Sequence, residues 1–340
     1  MLLRRIVLAP FSLIWFIVTE LRNRMFDLGI RKSFQIPNKS ICIGNLSLGG
    51  TGKTPMTAFL AKMFENDLNV QILSRGYGRK TSGFLKVKET DCAENVGDEP
   101  LFYKLKFKNK VSVAVCENRK EGIDNIGKDN FELLLLDDAF QHRKVKAGIN
   151  ILLTPYNNIF SKDFLVPMGT LRESSRNANR SNCIVITKCP NNIEETEKNK
   201  ILQELKKFNK PIFFSHIEYH NPIPFGKPIQ QITRVILVTG IANPKPLVEF
   251  LEKTYQIEMV NFPDHHQFKQ SEIEQIHRKI DTFADDQTAI FTTEKDFARL
   301  YSKITIWKLE NYPWYYVPIE MEFENEIEFK SLINNYVRAI

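Results

Sequence analysis

The sequence predicts an α/β fold, with a P-loop NTPase-like, doubly wound, mostly parallel sheet, a smaller C-terminal α/β subdomain and an N-terminal membrane-associated helix. Three observations support this prediction. Short apolar runs alternate with helical patterns from Lys39 onward, a glycine-rich loop joins the first run to a helix, and an uncharged apolar segment precedes both. Strands separated by helices form parallel sheets, whose carboxyl ends gather ligands.

The pattern divides the 340 residues into three parts. Residues 1–32 are the expected N-terminal helix, 33–220 the P-loop core, and 221–340 the C-terminal α/β subdomain that completes the active site. The boundary rests on residues 221–228, where three prolines and one glycine interrupt regular structure. A second series of alternating strands and helices follows it.

The first apolar segment, residues 6–18, is thirteen residues without a charge. A helix of that length spans about 20 Å, whereas crossing a hydrocarbon core takes about 20 residues. Arginines flank it on both sides, at positions 4, 5, 22 and 24. We therefore expect a helix lying at a surface of anionic lipid rather than crossing it. The alternative is a helix buried in the core or in a dimer.

Charge and cysteine content narrow the function classes. The formal net charge is +7, but the first 32 residues hold six basic and only two acidic side chains. No basic face with interleaved aromatics is evident elsewhere, which argues against nucleic acid as a partner. Five cysteines occur without Cys-x-x-Cys or Cys/His ligand spacing, so reduced thiols in a cytosolic protein are expected. The sequence indicates no obligatory protein partner.

The glycine-rich loop has the strand–loop–helix context of a phosphate-binding P-loop, with its helix predicted over 54–65. Its backbone N–H groups would point at phosphate oxygens, Lys53 would add a positive charge, and the Thr54 hydroxyl would hold Mg²⁺. The alternative is an ordinary glycine-rich turn before a helix. The predicted nucleotide-binding residues are Ser47, Leu48, Gly49, Gly50, Thr51, Gly52, Lys53 and Thr54.

Acidic and basic side chains follow the other predicted strands. Four leucines precede Asp137 and Asp138 in a Walker-B-like strand, although a turn with solvated aspartates fits the same residues. Asp98 and Glu99 precede a proline and could serve only as a helix cap and a first-turn charge. Arginines 75, 119, 172 and 176 lie in loops, either solvated or able to clamp phosphates.

The motifs together resemble a known family. GNLSLGGTGKTP, SRGYGR, GDEP, ENR, LLLLDDAFQHR, VPMGTLRE, TGIANP, FPDHH and TTEKD occur in this order. Over nearly the whole chain they resemble the tetraacyldisaccharide 4′-kinases of the lipid A pathway. Ser47, which stands where a general P-loop has its first glycine, agrees with that family's pattern. The family often has an aromatic residue at the position of His266, so His265 is the matching histidine.

The resemblance implies ATP-dependent phosphorylation of the 4′-hydroxyl of a tetraacyl disaccharide 1-phosphate, giving lipid IVA at the cytoplasmic face of the bacterial inner membrane. It implies Asp98 as the base, hydrogen-bonded to His265, and Lys53 on the ATP phosphates. Mg²⁺ would be held by Thr54, Glu99, Asp137 and Asp138. The expected phosphate or substrate contacts are Arg75, Tyr77, Arg119, Gln141, His142 and Arg172.

Two other classes of function remain open at this point. A membrane-associated P-loop GTPase or partition-type ATPase would act as a regulatory switch. Its guanine-reading element matches residues 187–190 only partly, because Pro190 stands where Asp is needed. A membrane-anchored scaffold with a degenerate nucleotide site is the other, and intact Lys53, Thr54 and Asp98 argue against it.

Overall fold

A computed structural model describes residues 2–127, 129–283 and 287–339, with side chains described from Ile6 onward. The described helices are α1 Leu2–Asp27, α2 Lys53–Phe64, α3 Ala93–Val96, α4 Asp98–Phe107, α5 Arg119–Ile126, α6 Glu195–Leu205, α7 Lys245–Leu251, α8 Gln270–Ile280, α9 Glu294–Tyr301 and α10 Glu326–Val337. Short 3₁₀ helices cover Phe160–Lys162, Ser175–Arg180, Lys206–Phe208 and Leu309–Asn311.

The strands belong to two main sheets and one small one. They are β1 Phe34–Gln35, β2 Lys39–Asn45, β3 Val70–Ser74, β4 Leu85–Lys86, β5 Val111–Val115, β6 Leu133–Asp137, β7 Val145–Lys146, β8 Ile149–Pro155, β9 Cys183–Thr187, β10 Ile212–Tyr219, β11 Ile223–Pro224, β12 Arg234–Thr239, β13 Gln256–Asn261, β14 Thr288–Thr293, β15 Trp314–Val317 and β16 Ile319–Phe323.

The first sheet has nine strands in the order β16-β10-β9-β8-β2-β6-β3-β5-β4. All neighbours from β10 to β5 are parallel, and only the two edge strands, β16 and β4, run antiparallel. The sheet is therefore the doubly wound, mostly parallel sheet that the sequence predicts. β2 lies in the middle, so its loop meets the carboxyl ends of β6 and β8.

Strand β6 shows why this sheet is buried on both faces. Leu133 and Leu135 pack in one apolar cluster with α2 and α4, while Leu134 and Leu136 pack in another with α5 and α6. All four leucines are at most 1% exposed. An unbroken run of leucines suits a strand covered on both sides, since successive side chains point to opposite faces.

The second sheet has five strands in the order β11-β15-β14-β12-β13, and only β11 is antiparallel. Helix α7 covers one face and α8 covers the other, each through buried aliphatic side chains. Helix α9 begins at Thr293, whose hydroxyl accepts a hydrogen bond from the N–H of Asp296 at 3.1 Å. This agrees with the cap that the Thr293–Asp296 spacing predicts.

The end of the chain departs from the expected division, in which 221–340 is one subdomain. β16 pairs with β10 as an edge of the first sheet, and α10 buries Phe329, Ile333 and Val337 in the core of that sheet. The second α/β part therefore ends before β16. The chain crosses between the sheets twice, and a sequence pattern of alternating elements does not reveal the second crossing.

Helix α1 is longer than the thirteen-residue apolar segment, because the helical backbone runs through charged residues to Asp27. Residues 6–27 are long and apolar enough to cross a membrane, judged by length and composition alone. The expectation that the segment is too short to span is therefore corrected for the helix as a whole. The side chains of Arg4 and Arg5 lie outside the described residues.

The polar face of α1 docks on the protein. Ser12, Thr19 and Asn23 are buried at helical spacing. The Ser12 hydroxyl donates to the carbonyl of Leu165 at 3.0 Å, and the Asn23 amide donates to Glu173 at 2.7 Å. The opposite face is apolar and exposed, at positions 6, 7, 11, 13, 14, 17, 18 and 21. This is the reverse of the amphipathic pattern by which a helix packs its apolar stripe on a core.

Buried His277 on α8 gives a prediction about stability and pH. It is 6% exposed and accepts a hydrogen bond from the indole N–H of Trp314 at 2.9 Å. Burial lowers the pKa of His277 to about 4, although Asp281 and Glu274 raise it. The unfolded chain, with a histidine pKa of about 6.5, binds a proton that the folded protein does not. This stabilisation is complete above about pH 6.5 and is lost as the pH falls toward about 4.

The measurement is urea unfolding of the wild type and His277→Gln between pH 7 and pH 4. Other titrating groups are shared, so the difference between the two proteins isolates His277. Between about pH 6.5 and 4, the wild type should lose up to about 1.4 kcal/mol more per pH unit than the variant. Parallel curves for the two proteins would show that His277 is not held neutral.

Candidate active site

The loop between β2 and α2 is held in a phosphate-binding shape. Gly49 and Gly52 have φ of +99° and +85°, a region that side-chain-bearing residues avoid. The amide of Asn45 donates to the Thr51 hydroxyl at 2.8 Å, and the Thr187 hydroxyl donates to the Thr51 carbonyl at 2.8 Å. The loop is therefore anchored to strands β2 and β9, and it leads directly into α2 at Lys53.

Two lysine side chains, Lys53 and Lys188, lie at this loop. The Lys53 ammonium lies 3.8 Å from a carboxylate oxygen of Asp138, with 12% of its side chain exposed. Lys188 donates to the carbonyl of Gly50 at 2.6 Å. Burial and Lys53 lower the pKa of Lys188, so a negative group between these ammonium groups would be stabilised. The loop thus combines backbone donors with two lysines at one point.

Asp137 and Asp138 follow β6 and lie beside the loop, as the sequence predicts for such a strand. Asp137 is 1% exposed, and within the described residues its Oδ1 has no hydrogen-bond donor. Burial first, and then Glu99 and Asp138, raise the pKa of Asp137 well above its usual range. A buried carboxylate oxygen without a donor, near two further acids, is the environment that a bound cation would stabilise.

Glu99 links α4 to the P-loop. Its carboxylate accepts a hydrogen bond from the Thr54 hydroxyl at 2.9 Å and one from the Lys295 ammonium at 3.2 Å. Burial lowers the pKa of Lys295, but Glu99 and Asp98 outweigh that effect, and the pKa lies above its usual value. Lys295 lies on α9 of the second α/β part. Its hydrogen bond to Glu99 therefore connects that part to Thr54, at the start of the P-loop helix.

Asp98 is the most heavily contacted acid of the site. Its Oδ2 accepts hydrogen bonds from Arg299 Nη2 at 2.6 Å and Nε at 3.1 Å, and lies 2.9 Å from His265 Nδ1. Burial raises its pKa, but His265, Lys295 and Arg299 together hold the pKa of Asp98 well below its usual range. Asp98 is therefore an anion whose contacts come mainly from the second α/β part.

The structure also separates the cap interpretation of Asp98 from other roles. The N-cap of α4 is Gly97, not Asp98, and its φ of +93° suits glycine. Asp98 occupies the first helical position, and its Oδ1 accepts the N–H of Glu99 at 2.9 Å. Its other oxygen faces His265 and Arg299. Asp98 thus contacts the opposite sheet instead of capping its own helix.

The two adjacent histidines have different partners. His265 contacts Asp98, whereas His266 lies 2.8 Å from Glu272 and stacks on Phe262 with ring centroids 4.5 Å apart. His265 has a φ of +59°, a left-handed backbone conformation that turns its ring toward α4. The geometry therefore places His265 in the site and His266 in the packing of the second sheet.

Arg172 and its neighbours form the side of the site nearest α1. Arg172 Nη1 lies 3.3 Å from Asp138 and 3.4 Å from Gln141 Oε1, and its carbonyl accepts the indole N–H of Trp15 at 2.8 Å. Burial first, and then Arg119 and other cations, lower the pKa of His142 to about 4, so its imidazole is neutral at pH 7. Arg172 and the cations around His142, namely Arg22, Arg75, Arg119 and Lys144, place positive charge on this side of the site.

Arg119 differs from the expectation that it contacts a phosphate or the substrate. Its guanidinium donates to the carbonyls of Cys116 and Asp137 at 2.7 and 2.9 Å, and only 2% of the residue is exposed. These bonds join the ends of β5 and β6 beneath the site. Gln141 likewise donates to Asn45 and Glu173, which leaves its Oε1 toward Arg172.

Nearly the whole chain matches a family of known proteins. The family model described as LpxK, tetraacyldisaccharide-1-P 4'-kinase, matches residues 4–338. The chain belongs to this family.

Individual relatives agree with the family match. A tetraacyldisaccharide 4'-kinase of Flavobacterium psychrophilum is 41% identical, over 98% of this chain and 97% of its own length. One from Bacteroides thetaiotaomicron is 39% identical, over 97% and 93% of the two chains. The crystal structure of LpxK from Aquifex aeolicus in complex with ATP superposes with a TM-score of 0.75 at 28% identity, and the match covers 99% of this chain and all of that one.

LpxK family membership decides between the classes of function that the sequence left open. The chain is a kinase, and neither the regulatory switch nor the scaffold is supported. Pro190 agrees with this, because no carboxylate stands at that place to read guanine.

Some residues of this LpxK site escaped the sequence analysis. Lys295 and Arg299 contact Glu99 and Asp98, and Lys188 contacts the P-loop. Lys295 lies inside the TTEKD motif, so position offered a signal for it, whereas Arg299 is one basic residue on an amphipathic helix. Among the predicted contacts, Arg75 and Tyr77 lie in the exposed loop after β3, where the Tyr77 ring stands 5.7 Å from that of His265.

Proposed function

We propose that this kinase transfers the γ-phosphate of ATP to the 4′-hydroxyl of a tetraacyl disaccharide 1-phosphate, giving lipid IVA. One observation carries the proposal: the contact that joins Thr54 to α4 lies next to the contact that joins α4 to the second α/β part. Thr54, at the start of the P-loop helix, bonds to Glu99, and the adjacent Asp98 bonds to His265. A nucleotide phosphate on the loop and a hydroxyl beside Asp98 would therefore be neighbours.

The roles on the nucleotide side follow from charge and position. We assign the loop from Ser47 to Thr54 to the ATP phosphates, with its N–H groups as donors and Lys53 as the point charge. Phosphoryl transfer depends mostly on positioning and on stabilising the charge of the transferred group. The loop supplies both, since hydrogen bonds from Asn45 and Thr187 anchor its Thr51.

The residues present fit Mg²⁺. Thr54, Glu99, Asp137 and Asp138 offer only oxygen atoms, which Mg²⁺ prefers, and buried Asp137 Oδ1 has no donor in the part of the chain that the structure describes. These residues would hold the ion, which would supply positive charge against the negative phosphates. The Lys295 ammonium donates a hydrogen bond to Glu99, so one of these acidic side chains is paired with a positive charge.

On the acceptor side, Asp98 and His265 act as one proton-accepting unit. Asp98 orients the imidazole through Nδ1, and the pair can take the proton of the sugar hydroxyl as the phosphate arrives. We assign Arg75, Tyr77, Gln141, His142 and Arg172 to contacts with the acceptor or the transferred phosphate, and the Tyr77 ring stands 5.7 Å from that of His265. Arg172 and the cations around neutral His142 suit an anionic head group.

Helix α1 supports a position at the cytoplasmic face of the bacterial inner membrane. Its polar face is occupied by the protein, and its apolar face has no cover among the described residues. The indole N–H of Trp15 on α1 donates a hydrogen bond to the carbonyl of Arg172, which lies on the side of the site nearest α1. An acceptor with acyl chains in the lipid could therefore present its sugars to the site while α1 lies in the interface.

This position can be tested on the exposed face of α1. Phe11→Gln, Ile14→Gln and Val18→Gln together remove three apolar side chains that are 53–60% exposed. We expect binding to vesicles with anionic lipid to fall at least about tenfold, since each buried apolar side chain contributes roughly 1.5–3 kcal/mol. The measurement is co-sedimentation with vesicles. Ile327→Gln on α10, also an exposed apolar position, is the matched control. Unchanged binding of the triple variant would contradict the membrane position of α1.

The reaction itself can be tested with purified protein, Mg-ATP and the tetraacyl disaccharide 1-phosphate in mixed micelles. We expect ADP to appear only when the acceptor is present, in equal amount with phosphorylated lipid. Hydrolysis of nucleotide without acceptor, or transfer that requires GTP, would contradict the proposal.

A further inference from the structure

Arg299 is buried and contacts both members of the proposed proton-accepting pair, Asp98 and His265. Its side chain is only 6% exposed, and Nη2 and Nε both donate to Oδ2 of Asp98. Its third nitrogen, Nη1, donates to Asp296 at 2.5 Å and to the carbonyl of Gly240 at 2.8 Å. One planar guanidinium therefore spans from α4 of the first part to the loop after β12 of the second.

The Gly240 carbonyl connects Arg299 to His265 as well. The same oxygen accepts the backbone N–H of His265 at 3.1 Å, and the Gly240 N–H donates to Asp296 at 3.0 Å. His265 has the uncommon φ of +59°, which persists only where surrounding contacts hold it. Arg299 thus touches the carboxylate of Asp98 and also the backbone group that fixes the turn carrying His265.

We propose that Arg299 is a positioning residue for phosphoryl transfer: it sets the Asp98 carboxylate and the His265 turn in register with each other. The inference rests on the proposed function and goes beyond the motifs, because no motif includes Arg299. A flat group with donors on two edges can hold a carboxylate and a carbonyl at a fixed separation. A lysine, with one ammonium group, cannot reach both with the same geometry.

A second ion pair between the same two helices provides a matched control. Lys106 of α4 lies 3.0 Å from Glu294 of α9, and both side chains are mostly buried. This pair also joins the two α/β parts, but it lies near the opposite end of α4 from Asp98. If Arg299 only joined the parts, Lys106→Met and Arg299→Met should have similar consequences.

The experiment compares the kcat, the KM for ATP and the thermal midpoint of Arg299→Met, Arg299→Lys and Lys106→Met in the full chain. We expect both Arg299 variants to lose about a hundredfold in kcat, the scale of a misplaced reacting group, while the KM for ATP stays within about twofold. Lys106→Met should keep its kcat even if its thermal midpoint falls. If Arg299→Met does not fold, Arg299→Lys, which keeps the charge, carries the test.

A double-mutant cycle separates positioning from general support. In an Asp98→Asn background, Arg299→Lys should cost little more, because it acts through the same carboxylate. In addition, the ¹⁵N signals of the His265 ring in the unliganded protein should change in Arg299→Lys and stay as in the wild type in Lys106→Met.

Independent losses in the cycle, or equal losses of kcat in the Arg299 and Lys106 variants, would overturn the inference. Failure of the proposed function is a distinct result, since the wild type would then transfer no phosphate to the lipid. The ¹⁵N comparison tests the positioning independently of transfer, so unchanged His265 signals in Arg299→Lys would also overturn it.

Discussion

Asp98→Asn is expected to reduce single-turnover phosphorylation by roughly 10²–10⁴-fold, the scale of general base catalysis. The amide retains an oxygen for the N–H of Glu99, but it can neither accept the sugar proton nor supply the carboxylate oxygen that lies 2.9 Å from His265 Nδ1. His265→Ala should cost less. The double variant should lose less than the product of the two single losses, because the pair acts as one unit. The measurement uses saturating ATP and lipid acceptor.

The structure adds a consequence for stability to this prediction. Arg299 faces Asp98 in a buried pair, so Asn leaves part of a buried positive charge uncompensated. Asp296 still pairs with Arg299, which limits the loss. We therefore expect a lower thermal midpoint together with unchanged ATP affinity, and the ATP measurement is the control for folding. An Asp98→Asn enzyme with near wild-type turnover would contradict the assignment and shift the base to Asp137 or Asp138.

Lys53→Ala should lower the transfer rate at least about a hundredfold, since a donor aimed at transition-state charge contributes several kcal/mol. Its side chain is 12% exposed, and its ammonium lies 3.8 Å from Asp138. Lys188 and Arg172 are neighbouring cations, but they are held by the Gly50 carbonyl and by Asp138 and Gln141. The rate is measured by product formation at saturating Mg-ATP. The fold should persist, because Lys53 is the first residue of α2 and its ammonium lies beside Asp138 at the loop.

Lys62 on the same helix is the matched control for this substitution. It is 56% exposed and pairs with Glu320 at 2.6 Å, away from the loop. Lys62→Ala should leave the rate within about twofold, as surface pairs contribute little. Equal rates for wild type and Lys53→Ala, with both proteins folded, would mean that the transferred phosphate does not pass Lys53.

The sequence predicted those parts of the fold that depend on local pattern. β6 consists of the four predicted leucines and Asp137, because a strand that is buried on both faces needs uninterrupted apolar side chains. The P-loop and the Asp98–His265 contact were also anticipated, the second through the family resemblance. That contact joins residues 167 positions apart, which no periodicity could reveal.

Other features depend on contacts that no local pattern encodes. β16 pairs with β10 at the edge of the first sheet. The sequence pattern shows only one more strand after β15 and does not show to which sheet that strand belongs. Arg119 resembled a phosphate ligand by position, but the strand ends it joins are distant in sequence. Arg299 gave no signal, since its partners are Asp98 in the other α/β part and the Gly240 carbonyl, both distant from it in sequence.

The central claim is that a nucleotide phosphate on the P-loop is passed to a sugar hydroxyl beside Asp98 and His265. The most direct measurement is ³¹P and ¹H NMR of the lipid formed from Mg-ATP and the tetraacyl disaccharide 1-phosphate. We expect a second phosphomonoester on the 4′-oxygen of the distal sugar. Phosphate at another position, a diphosphate at position 1, or ADP formed with unchanged lipid would contradict the claim.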